Sequence, residues 1–195
     1  MALLLCALFL VLHQYQGLIH DSRLYTLQTL NHLHPELFGN DVFLRFGSQD
    51  RYTLFTPAYA VLVNLIGAEP AAALVTGASN VALLTAAWYL ARSFMPVALT
   101  WLAVGLLIVI PAFYGEGIVF SVLESFLTPR QGAETLVLLS LAAWLRGRTL
   151  ASIIAMGAAF LIHPIMAFPG AVLLMTMAWA LPYWRKLWPI AAIAV

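Results

Sequence analysis

The chain has 195 residues, of which 63% are hydrophobic and only 9% charged, and its mean hydropathy is +0.94. A soluble domain is about a quarter charged, and one soluble core of this length cannot bury so much apolar side chain. The composition predicts a polytopic membrane protein and excludes water-soluble enzymes, disordered chains and nucleic-acid binders. The net charge of +1 points to no strongly acidic or basic partner, and the single cysteine excludes an intrachain disulfide.

Apolar runs recur along the chain, and a spanning helix needs about 20 mostly apolar residues. The first run, 2–19, lacks the basic start and the cleavage site of a signal peptide, so we expect a retained helix. Further candidate spans are 52–68, 70–90, 94–113, 133–145, 149–162 and 165–183, and another apolar run, 187–195, reaches the end of the chain. We predict an all-α membrane protein with about seven to nine transmembrane helices. It forms one domain, 1–195, which we expect to be a fragment of a longer chain.

The largest polar segment, 20–51, is predicted to be the main loop outside the membrane. It holds four acidic residues, three arginines and three of the five histidines. Asp21 or Ser22 can cap a helix here, and Pro35 and Gly39 would end it. We expect this helix to lie flat in the membrane interface on an apolar face. That face comprises Leu24, Leu27, Leu30 and Leu33.

A second polar segment, 114–130, carries Glu116, Glu124 and Arg130 in apolar surroundings. If it does not cross the membrane, all arginine-bearing loops share one side, which the positive-inside rule makes cytoplasmic. If it crosses, the 20–51 loop lies outside and the basic residues near 146–148 and 185–186 lie inside. We favour the crossing, because it places Asp21 on the same face as Glu124 and Arg130.

Few polar residues are candidates for chemistry. Asp21 follows the first apolar run, where a carboxylate can act as a general base, although it can also simply cap a helix. Ionisable groups at membrane depth tend to be functional, which favours a role for Glu124 and Arg130, the alternative being a structural ion pair. Arg23 and Tyr25 could bind a phosphate, and Arg23 could equally contact lipid headgroups.

The remaining polar residues and motifs give weaker indications of a functional site. His163, directly before Pro164, could face the same cavity as Glu124 or merely end a helix. His32 and His34 would point about 200° apart on a helix, and we predict no metal site. The sequence contains no phosphate-binding loop, zinc-ligand set or nucleophile elbow, so no ATP coupling is encoded and no cofactor is predicted.

Several short stretches together resemble the GT-C class of membrane glycosyltransferases, in an uncharacterised bacterial branch. They are HDSRLY at 20–25, FGSQD at 46–50, YTLF at 52–55, ESFLTPR at 124–130 and His163-Pro164. The resemblance implies sugar transfer from a polyprenyl-phosphate donor on the extracytoplasmic face of the bacterial inner membrane. It implies that Asp21 is the essential acidic residue and that Arg130 and Arg23 hold the donor phosphate. Glu124 and His163 would then line the cavity.

Two other classes of function fit the same residues. A transporter or lipid-carrier flippase would use Glu116, Glu124 and Arg130 along a path through discontinuous helices. A non-catalytic membrane assembly protein would need the same residues only for folding. Membrane lipids are expected partners in every case, and the lipid-linked sugar donor only in the first.

Overall fold

The computed structural model describes residues 1–38, 40–47, 49–115 and 120–193. This part of the chain is predominantly helical, as predicted, and the exception is a hairpin of two very short strands. The elements are α1 Ala2–Leu12, α2 Asp21–Leu33, α3 Pro35–Phe38, α4 Val42–Phe46, a 3-10 turn Gln49–Tyr52, α5 Phe55–Ile66, α6 Ala68–Ala91, α7 Val97–Val109, β1 Phe113–Tyr114, β2 Phe120–Ser121, α8 Pro129–Leu145, α9 Thr149–Ile162 and α10 Pro164–Ile193.

Within the described residues, one helix is long and apolar enough to cross a membrane. It is α6, with 24 residues, and it contains the candidate span 70–90. Helices α1, α5 and α7 are shorter than the predicted runs, whereas α9 has the predicted bounds and α8 and α10 extend beyond them. Helix α1 ends at Leu12 rather than near residue 19, because polar residues and Gly17, with its positive φ of 86°, follow it. Helix α7 ends at Val109, two residues before Pro111.

The long helices run alternately between two ends of a bundle. Helices α6 and α8 are parallel, because Asn80 contacts Gln131 near the start of α8 while the Tyr89 carbonyl accepts from Arg146 just beyond its end. Helix α9 returns antiparallel to α8, with the Ser140 and Ser152 hydroxyls 3.0 Å apart.

We call the end where α1, α7 and α9 finish and α8 and α10 begin the site end. The His13 side chain bonds the Ile108 carbonyl there at 2.8 Å, which places the last turns of α1 and α7 side by side. The opposite end, where α6 and α8 finish and α7 and α9 begin, is called the arginine end. Arg92, Arg146 and Arg148 lie in its turns.

Helix α5 does not run from one end to the other, although 52–68 was a candidate span. It has 12 residues, and the Leu54 amide before it donates to the Leu161 carbonyl at the site end of α9. Its last residue is followed by Gly67 and the start of α6, where the Glu69 side chain lies against Gly17. Both ends of α5 therefore lie at the site end, together with the whole 20–51 loop.

Helix α2 forms as predicted and ends at Leu33, before Pro35. Its buried face is not the leucine face, since all four leucines are only half-buried. The buried residues are Ser22, Tyr25, Thr26, Gln28 and Thr29. Tyr25 meets Phe55 of α5 edge-on at 5.7 Å. The apolar spacing identifies the leucine face of α2, but the protein buries the opposite face more deeply. The reason is that α5 packs on the side of α2 that carries small polar residues and a tyrosine.

The described residues of the 114–130 segment, 114–115 and 120–130, form no crossing helix. Strands β1 and β2 pair antiparallel, with Phe113 opposite Ser121, so the chain reverses direction and returns to the site end. The expected crossing is therefore wrong for this described part of the segment. Glu116 lies outside the described residues. The 20–51 loop and the start of α8 nevertheless share one end of the molecule, because α5 does not cross either.

Candidate functional site

Three charged residues predicted as site residues meet at the site end. Arg130 Nη1 donates to Asp21 Oδ2 at 2.7 Å, and Arg130 Nη2 donates to Glu124 Oε1 at 2.9 Å. Asp21 is 109 residues away from Arg130 along the chain. The structure thus joins the start of α2, the segment after the hairpin and the first turn of α8 through one guanidinium group.

Arg130 is placed by the start of α8. Thr128 is the N-cap, its hydroxyl accepts from the Arg130 amide at 3.3 Å, and Pro129 occupies the first turn. A Thr cap followed by proline is a strong helix start, since it satisfies one free amide and presets φ. Arg130 therefore leaves the helix at a defined position, with its side chain directed to the two carboxylates.

Glu124 is placed by two buried amides. Asn80, in the middle of α6, donates to the Glu124 carbonyl at 2.9 Å. Gln131 donates to Asn80 Oδ1 at 2.7 Å and to the Val122 carbonyl at 3.2 Å. Both amides are almost completely buried. Hydrogen bonds in such surroundings are strong and their loss is costly, so they hold the irregular 122–124 backbone against α6.

The three charged side chains of the cluster differ in how deeply they are buried. The side chains of Glu124 and Arg130 are 2% and 6% exposed, whereas that of Asp21 is 34% exposed. Burial raises the pKa of Glu124, and the hydrogen bond from Arg130 and its charge oppose that rise. Arginine keeps its charge in proteins. Asp21 is therefore the carboxylate that an incoming molecule can reach. Arg130 bonds it from the protein interior, and Glu124 bonds Arg130 in turn.

The guanidinium of Arg130 is nearly inaccessible to an incoming anion, since its side chain is only 6% exposed. Its face lies 4.4 Å from the Phe120 ring centroid, a cation–π contact that covers one side. Its Nη atoms donate to the two carboxylates, and Nε is buried with no hydrogen-bond partner in the described part of the chain. The phosphate role that the sequence predicted for Arg130 would therefore require this buried side chain to become accessible.

His20 adds an outer partner to Asp21. Its Nδ1 lies 3.2 Å from Asp21 Oδ1, so both carboxylate oxygens are engaged. Its backbone has φ 50°, and it is the one non-glycine residue with positive φ among those described. Such a conformation costs energy in a residue with a side chain and is concentrated at functional sites. This strained turn directs the chain from the end of α1 into Asp21.

The other predicted site residues lie around this cluster. Arg23 is exposed and its Nε donates to the Leu18 carbonyl at 3.1 Å, whereas Tyr25 is buried against Phe55. His163 is buried between α9 and α10, and its Nδ1 accepts from the Met166 amide at 3.3 Å. Burial and the nearby charge of Arg130 lower the pKa of His163, so its ring is neutral at pH 7.

Sequence reasoning missed the residues that support the cluster. Asn80 and Gln131 were not singled out, although an asparagine in the middle of an apolar run is a signal of a buried polar contact. It also missed Tyr114, whose hydroxyl donates to Glu134 at 2.5 Å. Glu134 lies one turn after Arg130, so the hairpin contacts α8 twice, through Tyr114 and Phe120.

The described residues contain no group of three or more His, Cys, Asp or Glu side chains arranged to hold a metal ion. No family model, curated protein or solved structure matches this chain. The functional argument therefore depends on the geometry and chemistry of the cluster itself.

Proposed function

We propose that this chain belongs to a membrane-embedded, GT-C-like glycosyltransferase that uses a polyprenyl-phosphate sugar donor on the extracytoplasmic face of the bacterial inner membrane. The observation that carries the proposal is the half-exposed Asp21 carboxylate held by the buried Arg130–Glu124 pair. A partly exposed carboxylate that is fixed by a buried cation is suited to orient a nucleophile and accept its proton.

In this reaction Asp21 accepts the proton of the acceptor hydroxyl as its oxygen attacks the anomeric carbon. The bond from that carbon to the lipid phosphate oxygen breaks, the new glycosidic bond forms, and the phosphate leaves with the electron pair. Arg130 holds Asp21 in position rather than binding the phosphate, because its side chain is only 6% exposed and donates to both carboxylates.

Arg23 is the residue that we propose binds the phosphate. It is exposed, and its terminal nitrogens make no hydrogen bond in the described part of the chain. A guanidinium fork suits a phosphate and can offset the charge that develops on the leaving group.

The proposal requires the site end to be extracytoplasmic. Arg92, Arg146 and Arg148 lie in the turns at the arginine end, whereas the described part of the site end carries acidic residues together with Arg23, Arg45, Arg51 and Arg130. Turns rich in Arg and Lys near membrane spans remain in the cytoplasm, and neither end holds a clear excess of arginine. The position of the 20–51 loop outside therefore follows from the proposed use of an extracytoplasmic donor, and labelling from outside the cell tests it directly.

A transporter is less well supported. Alternating access would require Glu124 to face both sides in turn, but its side chain is nearly inaccessible and its backbone is held by the buried Asn80–Gln131 pair. An assembly role predicts that the cluster matters for folding alone, and the experiment below separates it from catalysis.

The test compares Asp21→Asn with Glu36→Gln in purified protein in nanodiscs. Both substitutions neutralise one carboxylate in the same loop, but Glu36 is exposed and lies outside the cluster. With a panel of polyprenyl-phosphate sugars and membrane-extract acceptors, we expect Asp21→Asn to reduce transfer by about 100-fold or more. Glu36→Gln should leave transfer unchanged. Equal transfer by both variants, with equal unfolding temperatures, would exclude the role of Asp21.

A further inference from the structure

A cavity of about 460 Å³ lies at the site end beside the charged cluster, and Glu124 belongs to both. Its walls are the last turns of α1 and α7, the chain from 110 to 113, and the segment 121–126. At one wall, the backbone amide of Gln16 donates to the Ser125 carbonyl at 2.9 Å. The volume falls in the range of small-molecule sites, about 300–1,000 Å³.

The lining of this cavity has a distinctive charge pattern. Glu124 and His13 are its titratable residues, and no arginine or lysine lines it. The Glu124 carboxylate faces away to Arg130, and the His13 ring is bonded to the Ile108 carbonyl. An anionic group such as a phosphate would find no cation here to replace its hydration.

Uncharged polar groups are available instead. Gln14 and Gln16 line the cavity, are exposed, and make no side-chain hydrogen bond in the described part of the chain. An amide offers two donors and an acceptor, which matches hydroxyl and amide groups of a ligand. Apolar residues of α7 and the rings of Phe113 and Phe126 form the rest of the lining.

We propose that this cavity binds an uncharged, hydroxyl-bearing ligand with an apolar part, and that it is the acceptor side of the site. The acceptor assignment rests on the proposed glycosyl transfer, whereas the binding chemistry does not. The 121–126 segment lines the cavity, and the Glu124 carboxylate of this segment bonds Arg130 of the cluster. A hydroxyl bound to Gln14 and Gln16 thus lies on the same end of the molecule as Asp21.

The test measures protection of a reporter cysteine. In a Cys6→Ala background, Leu12→Cys on one wall and Ser125→Cys on the other are labelled with a maleimide in nanodiscs. Three amphiphiles with the same chain are compared below their micellar concentrations: octyl β-glucoside, octyl phosphate and octyltrimethylammonium. Glu36→Cys, outside the cavity, is the control for general effects on the bilayer.

We expect octyl glucoside to slow labelling of both reporters several-fold and octyl phosphate to have no effect. Adding Gln14→Leu and Gln16→Leu should abolish that protection. Equal effects of all three amphiphiles, stronger protection by the phosphate, or protection that survives the double glutamine substitution would each overturn the proposal. Protection retained in a protein without transfer activity would contradict only the acceptor assignment, and transfer without protection would contradict only the cavity.

Discussion

At the residue scale, the cluster depends on Arg130 more than on either carboxylate. It is the one group that bonds both Asp21 and Glu124, and it does so from a nearly inaccessible position. Two carboxylates brought this close without the guanidinium would repel each other, and Glu124 would be left buried and unpaired. The residue that holds the site in place is therefore also a large contributor to stability.

We predict that Arg130→Met lowers the free energy of unfolding by about 3–5 kcal/mol, the cost of leaving a buried charge unpaired. Arg130→Lys should lose less, because it keeps the charge but not the two-pronged geometry. Urea titration of the protein in nanodiscs, followed by tryptophan fluorescence, measures both. Arg130→Met as stable as the native chain would show that the cluster is not held by this residue.

His163 predicts a pH dependence. Its folded pKa is lowered by burial and by Arg130, so the stability it contributes is present above its unfolded pKa of about 6.5 and is lost as the pH falls below that value. His163→Asn, which can still accept from the Met166 amide, should flatten the melting temperature between pH 7 and pH 5. An unchanged slope in the variant would assign the pH dependence to other groups.

At the element scale, the irregular segments are held by helices that were recognisable from the sequence. The 122–124 backbone is irregular, and Asn80 and Gln131 bond its Glu124 and Val122 carbonyls from α6 and α8. Helices α8 and α10 also approach closely. A Cβ built on Gly170 would lie 2.3 Å from a methyl group of Val137.

We therefore predict that Gly170→Ala destabilises the protein by about 1–3 kcal/mol, because valine is stiff and cannot move aside without straining α8. Gly157 is the matched control, since it lies within α9 and a Cβ there would meet nothing within 4 Å. Gly157→Ala should stabilise by about 0.5–1 kcal/mol through helix propensity. Thermal unfolding of both variants checks this, and an equal shift of both would contradict the close helix contact.

At the scale of the whole molecule, composition and apolar runs were sufficient to predict a helical chain and to locate most of its helices. Among the described residues, one of the predicted spans, α6, is long and apolar enough to cross a membrane. The grouping of Asp21 with Glu124 and Arg130 was also expected. The predicted path of the chain between the two ends of the bundle was wrong at two places. Residues 52–68 are apolar enough to span, yet α5 stays at the site end, and 114–130 turns back as a hairpin. Hydropathy measures preference for an apolar environment and cannot distinguish lipid from a covering protein surface.

The two differences, at 52–68 and at 114–130, cancel in their effect on where Asp21 and Arg130 lie relative to each other. The sequence required a crossing at 114–130 to bring the 20–51 loop and Arg130 to one face. In the structure neither 52–68 nor 114–130 crosses, and the same face results. The supporting residues Asn80, Gln131 and Tyr114 could not be deduced, because each acts through contacts with residues far away in the chain.

The most direct measurement is the sidedness of the 20–51 loop. In a Cys6→Ala background, Glu36→Cys in the loop and Arg148→Cys at the arginine end are labelled with a membrane-impermeant maleimide on intact bacterial cells. Both positions are exposed. We predict that Glu36→Cys is labelled directly and Arg148→Cys only after the membrane is opened. The reverse pattern would place Asp21 in the cytoplasm and contradict transfer from a lipid-linked donor on the outer face.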